Sequence, residues 1–206
     1  MSTLPSPETP LEDSPEARLA YRKALRKELV ERRQALPADD LARMTASVCA
    51  HLRREFPELA RVRVGFCWPM LNEPDLRPLI EAWIGEGDPG FVALLPVVVA
   101  PKTPLAFRAW TPQTPMVKDR YGIETPAEGE FVVPQALLIP VNAFDVAGYR
   151  IGYGGGFFDR TLATTVPMPL SIGVGFELAR VDSIRPEAYD MPLDAMVTEA
   201  GVFRVR

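Results

Sequence analysis

Residues 136–162 read Ala-Leu-Leu-Ile-Pro-Val-Asn-Ala-Phe-Asp-Val-Ala-Gly-Tyr-Arg-Ile-Gly-Tyr-Gly-Gly-Gly-Phe-Phe-Asp-Arg-Thr-Leu. The apolar run 136–141 has the length and bulk of a buried strand, and 157–164 has helical spacing. Between them, 152–156 is Gly-Tyr-Gly-Gly-Gly. A strand, a glycine loop and the start of a helix together offer free backbone N–H groups to a phosphate. The stretch therefore predicts a phosphate site in an α/β fold.

Strands and helices alternate along the rest of the chain. Helices are predicted at 15–35, 39–56 and 75–84, and strands at 61–68, 91–99, 105–110, 170–176 and 195–205. Residues 111–135 are predicted to be irregular because prolines interrupt them. Such alternation implies a mostly parallel sheet with helices on both faces. We therefore expect the α/β class, with a three-layer αβα arrangement around a mostly parallel, Rossmann-like open sheet.

Length and composition suit one globular domain, since the chain has 206 residues, of which 47% are apolar and 24% charged. We place this domain at 15–206, after a proline-rich tail, 1–14, that we expect to be disordered. The net charge of -4 gives no basic field for a polyanion, so nucleic acid is not an expected partner. No stretch approaches the ~18 apolar residues of a membrane span, and no signal peptide is recognisable. We therefore expect a cytoplasmic monomer that binds small molecules and no membrane.

The chain contains one histidine, His51, and two cysteines, Cys49 and Cys67, which we predict to be free thiols. This set argues against a zinc site, and against a Ser or Cys triad unless His51 is its base. An enzyme built from this chain would rely on carboxylates, arginines, backbone amides and, where needed, a metal ion.

Charged residues flank the glycine loop and occupy the first predicted helix. Arg150 precedes the loop, while Arg22 and Arg26 lie at i and i+4 and can converge on one anion, a solvated basic face being the alternative. Asp159, with a second acid such as Asp190, would suit Mg²⁺. The alternatives are a carboxylate that favours the helix dipole for Asp159 and a turn residue for Asp190.

The glycine loop is neither of the two common nucleotide motifs. No Gly-Lys-Ser/Thr follows it, so it is not a P-loop, and Phe157 stands where a dinucleotide fingerprint needs its third glycine. A tight connection without a ligand is the alternative to phosphate binding. Glu73 follows the strand predicted at 61–68 and is a candidate polar anchor, or else a helix-start carboxylate.

The run Pro140-x-x-Ala-Phe-Asp-x-x-Gly-Tyr-Arg150-Ile-Gly-Tyr-Gly-Gly-Gly-Phe-Phe-Asp159-Arg resembles the signature of the 5-formyltetrahydrofolate cyclo-ligase family, also called methenyltetrahydrofolate synthetases. Four further segments resemble elements of that family: Arg-Lys-Ala-Leu-Arg at 22–26, Trp-Pro-Met-Leu-Asn-Glu at 68–73, Tyr-Gly-Ile at 121–123, and Asp-Met-Pro-Leu-Asp at 190–194 with Thr-Glu at 198–199. The resemblance extends from about residue 20 to residue 200.

The resemblance implies an enzyme that uses ATP and Mg²⁺ to close the N5-formyl group of 5-formyltetrahydrofolate onto N10, yielding 5,10-methenyltetrahydrofolate, ADP and phosphate. It implies catalytic roles for Arg150 and Tyr153, folate contacts from Trp68 and Glu73, and Mg²⁺ ligands at Asp159 and Asp190. ATP would be bound by Arg22, Lys23, Arg26, Arg150, Gly152, Tyr153, Gly154, Gly155, Gly156, Phe157 and Phe158.

Two departures from the family pattern leave alternatives open. The family often has a tyrosine after the glycines, where this chain has Phe157 and Phe158, and commonly a lysine where this chain has Arg22. A non-catalytic folate- or nucleotide-binding module is therefore one alternative, and a related ATP-dependent enzyme acting on another formamide is a second. The exposed loop residue Lys118 is a further candidate phosphate partner whose role stays open.

Overall fold

The computed structural model of the chain describes residues 14–205. Its four α-helices are α1 Pro15–Gln34, α2 Ala38–Glu55, α3 Arg77–Glu86 and α4 Phe157–Thr164. The first begins as its sequence predicts, because the Ser14 hydroxyl accepts a hydrogen bond from the N–H of Ala17 and proline occupies the first helical position. The tail predicted to be disordered lies outside the described residues, apart from Ser14. None of the helices within 14–205 combines the length and apolar character that a bilayer crossing needs.

The strands of the described chain are β1 Arg63–Gly65, β2 Val92–Val97, β3 Ala106–Ala109, β4 Met116–Lys118, β5 Glu124–Pro126, β6 Ala136–Pro140, β7 Ala143–Phe144, β8 Arg150–Ile151, β9 Leu170–Val174, β10 Ala195–Thr198 and β11 Gly201–Arg204. Seven of them form one sheet in the order β11-β10-β9-β6-β1-β2-β3. The five inner strands pair in parallel, and only the edge strands β3 and β11 pair antiparallel with their neighbours. The predicted mostly parallel α/β sheet is confirmed.

The sheet is buried on both faces, and β6 shows how. Leu138 belongs to the apolar cluster that contains Leu52 of α2, whereas Leu137 and Ile139 belong to the opposite cluster, which contains Leu162 of α4. Successive side chains of a strand point to opposite faces, so an uninterrupted apolar run is what a strand covered on both faces requires. Helices α2 and α3 cover one face, while α4 and its flanking loops cover the other.

Local structure differs from the predictions at several places, and the strand predicted at 61–68 forms only at Arg63–Gly65. The glycine loop does not follow β6 directly, because the hairpin β7–β8 lies between them. The segment predicted to be irregular contains the short hairpin β4–β5, since its prolines prevent helices but allow short paired strands. The last predicted strand is two antiparallel strands, β10 and β11.

The hairpin between β6 and the glycine loop depends on Asp145 and Gly148. The buried Asp145 carboxylate accepts hydrogen bonds from the N–H groups of Ala147, Tyr149 and Ile184, at 3.1, 3.2 and 3.1 Å. Gly148 has a φ of +85°, and a Cβ there would lie 2.9 Å from the carbonyl oxygen of Leu193. This turn therefore requires a buried acceptor at Asp145 and a residue without a side chain at Gly148.

We expect Asp145→Ala to lower the free energy of unfolding by about 2–4 kcal/mol, because it leaves buried N–H donors without an acceptor. Asp119→Ala is the matched control: Asp119 accepts from the N–H groups of Tyr121 and Ile123 in a more accessible turn, where water can replace it. Urea denaturation of both variants measures the difference. Equal losses would contradict a special dependence of the fold on Asp145.

Candidate active site

Helix α1 lies across the loops that follow the parallel strands, and three arginines on one side of it bind three of those loops. Arg22, Arg26 and Arg33 contact, respectively, Asp190 after β9, Gly152 in the glycine loop, and Leu71 after β1. Their spacing of four and seven residues places them on one helix face. Loops at the carboxyl ends of strands are where open α/β sheets bind ligands.

The glycine loop lies against the guanidinium of Arg26. The Nε of Arg26 donates to the carbonyl oxygen of Gly152 at 2.6 Å. Gly154 has a φ of +93°, and a Cβ there would lie 3.3 Å from Nη2 of Arg26. The backbone conformation therefore favours glycine at Gly154, and a Cβ there would also crowd the Arg26 guanidinium.

Arg26 has no carboxylate partner among residues 14–205. Burial, followed by the nearby charge of Arg22, lowers the pKa of Arg26. A half-buried cation beside another cation favours an anion in the space between them. This contact makes the glycine loop the strongest candidate anion site of the described chain.

Arg22 and Arg150 differ from Arg26 in being paired with acids. Arg22 donates to both carboxylate oxygens of Asp190, at 2.7 and 3.2 Å. Burial opposes the charge on Arg22, but the hydrogen bonds and charge of Asp190 outweigh it and raise the pKa of Arg22. The buried Arg150 lies 3.2 Å from Asp159 Oδ1 and donates to the carbonyl oxygen of Met191 at 2.9 Å. Burial lowers the pKa of Arg150, against the opposing charge of Asp159.

The two acids predicted to bind Mg²⁺ lie in segments that contact each other. The N–H of Met191, the residue after Asp190, donates to Asp159 Oδ1 at 3.1 Å. Among residues 14–205, no cluster of three or more His, Cys, Asp or Glu forms that could hold a metal ion. Mg²⁺, however, needs only one or two protein carboxylates when phosphate and water complete its shell. The residues therefore fit an Mg²⁺ that enters with phosphates, and this assignment stays a prediction.

Glu73 is buried in the loop after β1 and is bound to the glycine loop. Tyr153 donates its hydroxyl to Glu73 Oε1 at 2.8 Å, and the N–H of Met70 donates to Oε2 at 3.0 Å. Burial raises the pKa of Glu73, while Tyr153, Arg33 and the Met70 N–H act in the opposite direction. Glu73 is not the helix-start carboxylate, since Asp75 accepts from the first N–H of α3.

Trp68 and Lys23 are two further predicted site residues. Trp68 is half-buried, edge-on to Trp110 at 6.2 Å between ring centroids and covered by the Arg77 guanidinium at 4.6 Å. Lys23 is exposed, and none of the contacts described within 14–205 connects it to the glycine loop. Both assignments stay predictions.

The two phenylalanines after the glycines have separate neighbours. Phe157 lies edge-on to Tyr121, with ring centroids 6.0 Å apart, and a Cβ at Gly155 would lie 2.6 Å from the Phe157 ring. Phe158 packs against the apolar cluster that contains Leu162. Gly156, with a φ of +62°, is the N-cap of α4.

Two residues of the site were not singled out from the sequence, Arg33 and Asn142. Arg33 donates to Asn142 Oδ1 at 2.8 Å and to the Tyr153 hydroxyl at 3.1 Å. Its position seven residues after Arg26 was the available signal, because it continues the same helix face. Asn142 carried no comparable signal, since nothing local predicts its partner.

Comparison with known proteins places this geometry in a family. The sequence model of the 5-formyltetrahydrofolate cyclo-ligase family matches residues 18–199. The chain is 30% identical over 183 residues to the 5-formyltetrahydrofolate cyclo-ligase of Escherichia coli (strain K12), covering 84% of this chain and 97% of that protein. A 95-residue match to the enzyme of the same name from Haemophilus influenzae is 35% identical and covers 43% of this chain and 51% of that one.

Solved structures show the same fold. The NMR structure of Aquifex aeolicus 5,10-methenyltetrahydrofolate synthetase superimposes with a TM-score of 0.75 at 28% identity, covering 90% of this chain and 93% of that one. The structure of a 5,10-methenyltetrahydrofolate synthetase from Mycoplasma pneumoniae superimposes with a TM-score of 0.71 at 20% identity. The match covers 86% of this chain and 98% of that one, and it supports the fold alone. The chain belongs to the 5-formyltetrahydrofolate cyclo-ligase family.

Proposed function

We propose that this enzyme uses ATP and Mg²⁺ to cyclise 5-formyltetrahydrofolate to 5,10-methenyltetrahydrofolate, with release of ADP and phosphate. The contact between Tyr153 and Glu73 supports the proposal most directly. Tyr153 belongs to the glycine loop, which is bound by Arg26, a cation with no carboxylate partner within 14–205, and its hydroxyl donates to the buried carboxylate of Glu73. One side chain would therefore join the proposed phosphate site to the proposed polar anchor for the second substrate.

The chemistry explains why ATP is needed. A formamide carbonyl is a weak electrophile, and its oxygen is a very poor leaving group. Attack of the formyl oxygen on the γ-phosphorus expels ADP and forms an imidate-like phosphate. N10 then attacks the activated carbon and loses its proton, phosphate departs with the former formyl oxygen and takes up that proton, and the methenyl bridge forms. Every atom of the reaction is supplied by the two substrates.

Such a reaction asks the protein chiefly for positioning and for neutralisation of charge. The backbone N–H groups of 152–156 and the guanidinium of Arg26 would bind the phosphates, while Glu73 would orient the pterin. Holding the formyl oxygen in line with the γ-phosphorus can supply up to about 7–11 kcal/mol of the barrier. No histidine base is required by this scheme.

Asp159 and Asp190 would hold Mg²⁺ beside the phosphates. When bound, the ion would neutralise phosphate charge. Phosphate oxygens would at the same time offer Arg22 and Arg150 new acceptors in place of the two carboxylates. We further propose, as predicted from the sequence, that the enzyme is a cytoplasmic monomer that binds neither nucleic acid nor membrane.

The first test is a spectrophotometric assay of the purified protein. We expect absorbance to grow in the near-ultraviolet band of the methenyl product only when ATP, Mg²⁺ and 5-formyltetrahydrofolate are all present. No growth alongside an active family member would contradict the proposal. Calorimetric binding of ATP and folate without release of ADP would instead identify a binding module, and turnover of another formamide alone would identify a related enzyme.

Arg26→Met should raise the KM for ATP by about ten- to hundredfold, because a charge-assisted contact to phosphate is worth about 1.5–3 kcal/mol. The control is Lys27→Met, which removes an exposed cation of the same helix that lies 3.9 Å from Glu31. Steady-state kinetics with saturating folate measure both. Similar KM values for Arg26→Met and the wild type would remove Arg26 from the nucleotide site.

Asp159→Asn should lower kcat at every magnesium concentration and raise the concentration that gives half-maximal rate, because a neutral amide is a poorer ligand for a hard cation. The fold should persist, since an amide oxygen can still accept from Met191. Exposed Asp39, in the first turn of α2, supplies the control Asp39→Asn. A magnesium titration identical to that of the wild type would exclude Asp159 as a ligand.

A further inference from the structure

Arg33 is a buried arginine whose donors are divided among three loops. Only 4% of the residue is exposed. Its Nε donates to the carbonyl oxygen of Leu71 at 2.9 Å and its Nη1 to Asn142 Oδ1 at 2.8 Å. Its Nη2 donates to the hydroxyl of Tyr153 at 3.1 Å and lies 3.9 Å from Glu73 Oε1. The guanidinium therefore contacts the loops after β1 and β6 and the glycine loop.

This arrangement is a costly way to stabilise a fold. Burying a guanidinium requires desolvation, and well-packed apolar side chains commonly stabilise as much or more. Moreover, its one carboxylate neighbour lies beyond hydrogen-bond distance and is reached through the Tyr153 hydroxyl. The planar guanidinium has several N–H donors in fixed directions, so it can hold its three acceptors in a fixed geometry relative to one another.

The backbone beside Glu73 is strained, and α1 holds it. Leu71 and Asn72 have φ values of +48° and +60°, a region that non-glycine residues rarely occupy. Arg33 binds the carbonyl oxygen of Leu71, and the Asn72 side chain donates to the carbonyl oxygen of Gln34 at 3.3 Å. Strained turns of this kind persist only when the surrounding structure fixes them, and they cluster at ligand sites.

We propose that Arg33, fixed by Asn142, is a positioning residue that holds the Glu73 carboxylate and the Tyr153 hydroxyl in the orientation that receives the folate ring. This inference rests on the proposed function in taking Glu73 as the folate anchor. A pterin presents ring N–H and amino donors. A carboxylate that is already oriented binds them without losing further conformational entropy. Arg33 itself touches neither substrate in this scheme.

The charge state of Glu73 follows from its neighbours. The titratable groups that face it are Arg33 from α1, Tyr153 from the glycine loop and Cys67 from the segment after β1. Burial raises the pKa values of both Tyr153 and Cys67, so both are neutral at physiological pH. Arg33 is therefore the cation, within 14–205, whose charge opposes the effect of burial on Glu73.

Removal of Arg33 should change the pKa of Glu73 in one direction. Because the charge of Arg33 lowers the pKa of Glu73, its loss should raise that pKa further. An anchor that must be ionised is lost as the pH falls through its pKa. In the variant, folate affinity should therefore begin to fall at a higher pH than in the wild type as the solution is made more acidic.

The test compares Arg33→Met, Arg33→Lys and Asn142→Ala with the control Arg32→Met, which removes an exposed neighbour that lies 3.8 Å from Glu28. The titration of Glu73 is followed by carboxyl ¹³C NMR in the ligand-free protein, with Glu73→Gln assigning the signal. Steady-state kinetics then give the KM for 5-formyltetrahydrofolate and for ATP across the same pH range.

Arg33→Met should raise the midpoint of the Glu73 titration by about one pH unit or more and the KM for folate by about tenfold, with the KM for ATP changed less than about threefold. Arg33→Lys should keep the midpoint of the Glu73 titration close to that of the wild type but raise the folate KM. An ammonium carries the same charge but lacks the fixed planar donors of a guanidinium. Asn142→Ala should act in the same direction as Arg33→Met but more weakly, and Arg32→Met should change nothing.

A wild-type Glu73 midpoint and wild-type folate KM in Arg33→Met would overturn the inference. Equal rises in both KM values together with an unchanged midpoint would also overturn it, because they describe a structural role only. If Arg33→Met does not fold, Asn142→Ala and Arg33→Lys decide the question by the same measurements. A wild type that makes no methenyl product refutes the proposed function, whereas the titration of Glu73 still decides whether Arg33 positions it.

Discussion

One face of α1 holds together the loops from which the site is built. Arg22, Arg26 and Arg33 each donate to a different loop, and each loop follows a different strand or hairpin. Loops have few apolar contacts of their own, so their relative positions depend on such cross-links. Because a helix is a rigid spacer of 1.5 Å per residue, the arginine spacing sets the distances between the bound loops.

Around the glycine loop, two arginines are paired with aspartates and a third has no carboxylate partner among residues 14–205. Arg22 with Asp190, and Arg150 with Asp159, neutralise each other, whereas Arg26 has no acid partner among the described residues. Nucleotide phosphates carrying a divalent cation would offer each arginine an anion and each aspartate a cation. Each of the two ion pairs is thus neutral overall, while Arg26 leaves a positive charge beside the glycine loop.

The signature that identifies the family mixes two kinds of residue. Asp145 and Gly148 serve the hairpin, since one accepts buried N–H groups and the other leaves room for a carbonyl oxygen. Gly154 leaves room for Arg26, and Tyr153 reaches Glu73. A single contiguous motif therefore both builds a turn and presents the site, which explains its density of glycine and polar residues.

Local patterns in the sequence were sufficient to predict α1, α4, the mostly parallel sheet and the glycine loop, because helix spacing, caps and apolar runs act between near neighbours. The hairpin before the loop, the burial of Arg150 and the network of Arg33, Asn142, Tyr153 and Glu73 were not predictable. Arg33 and Tyr153 are 120 positions apart in the chain. A guanidinium binds whichever acceptors the packed fold brings within about 3 Å, and only tertiary structure decides which acceptors those are.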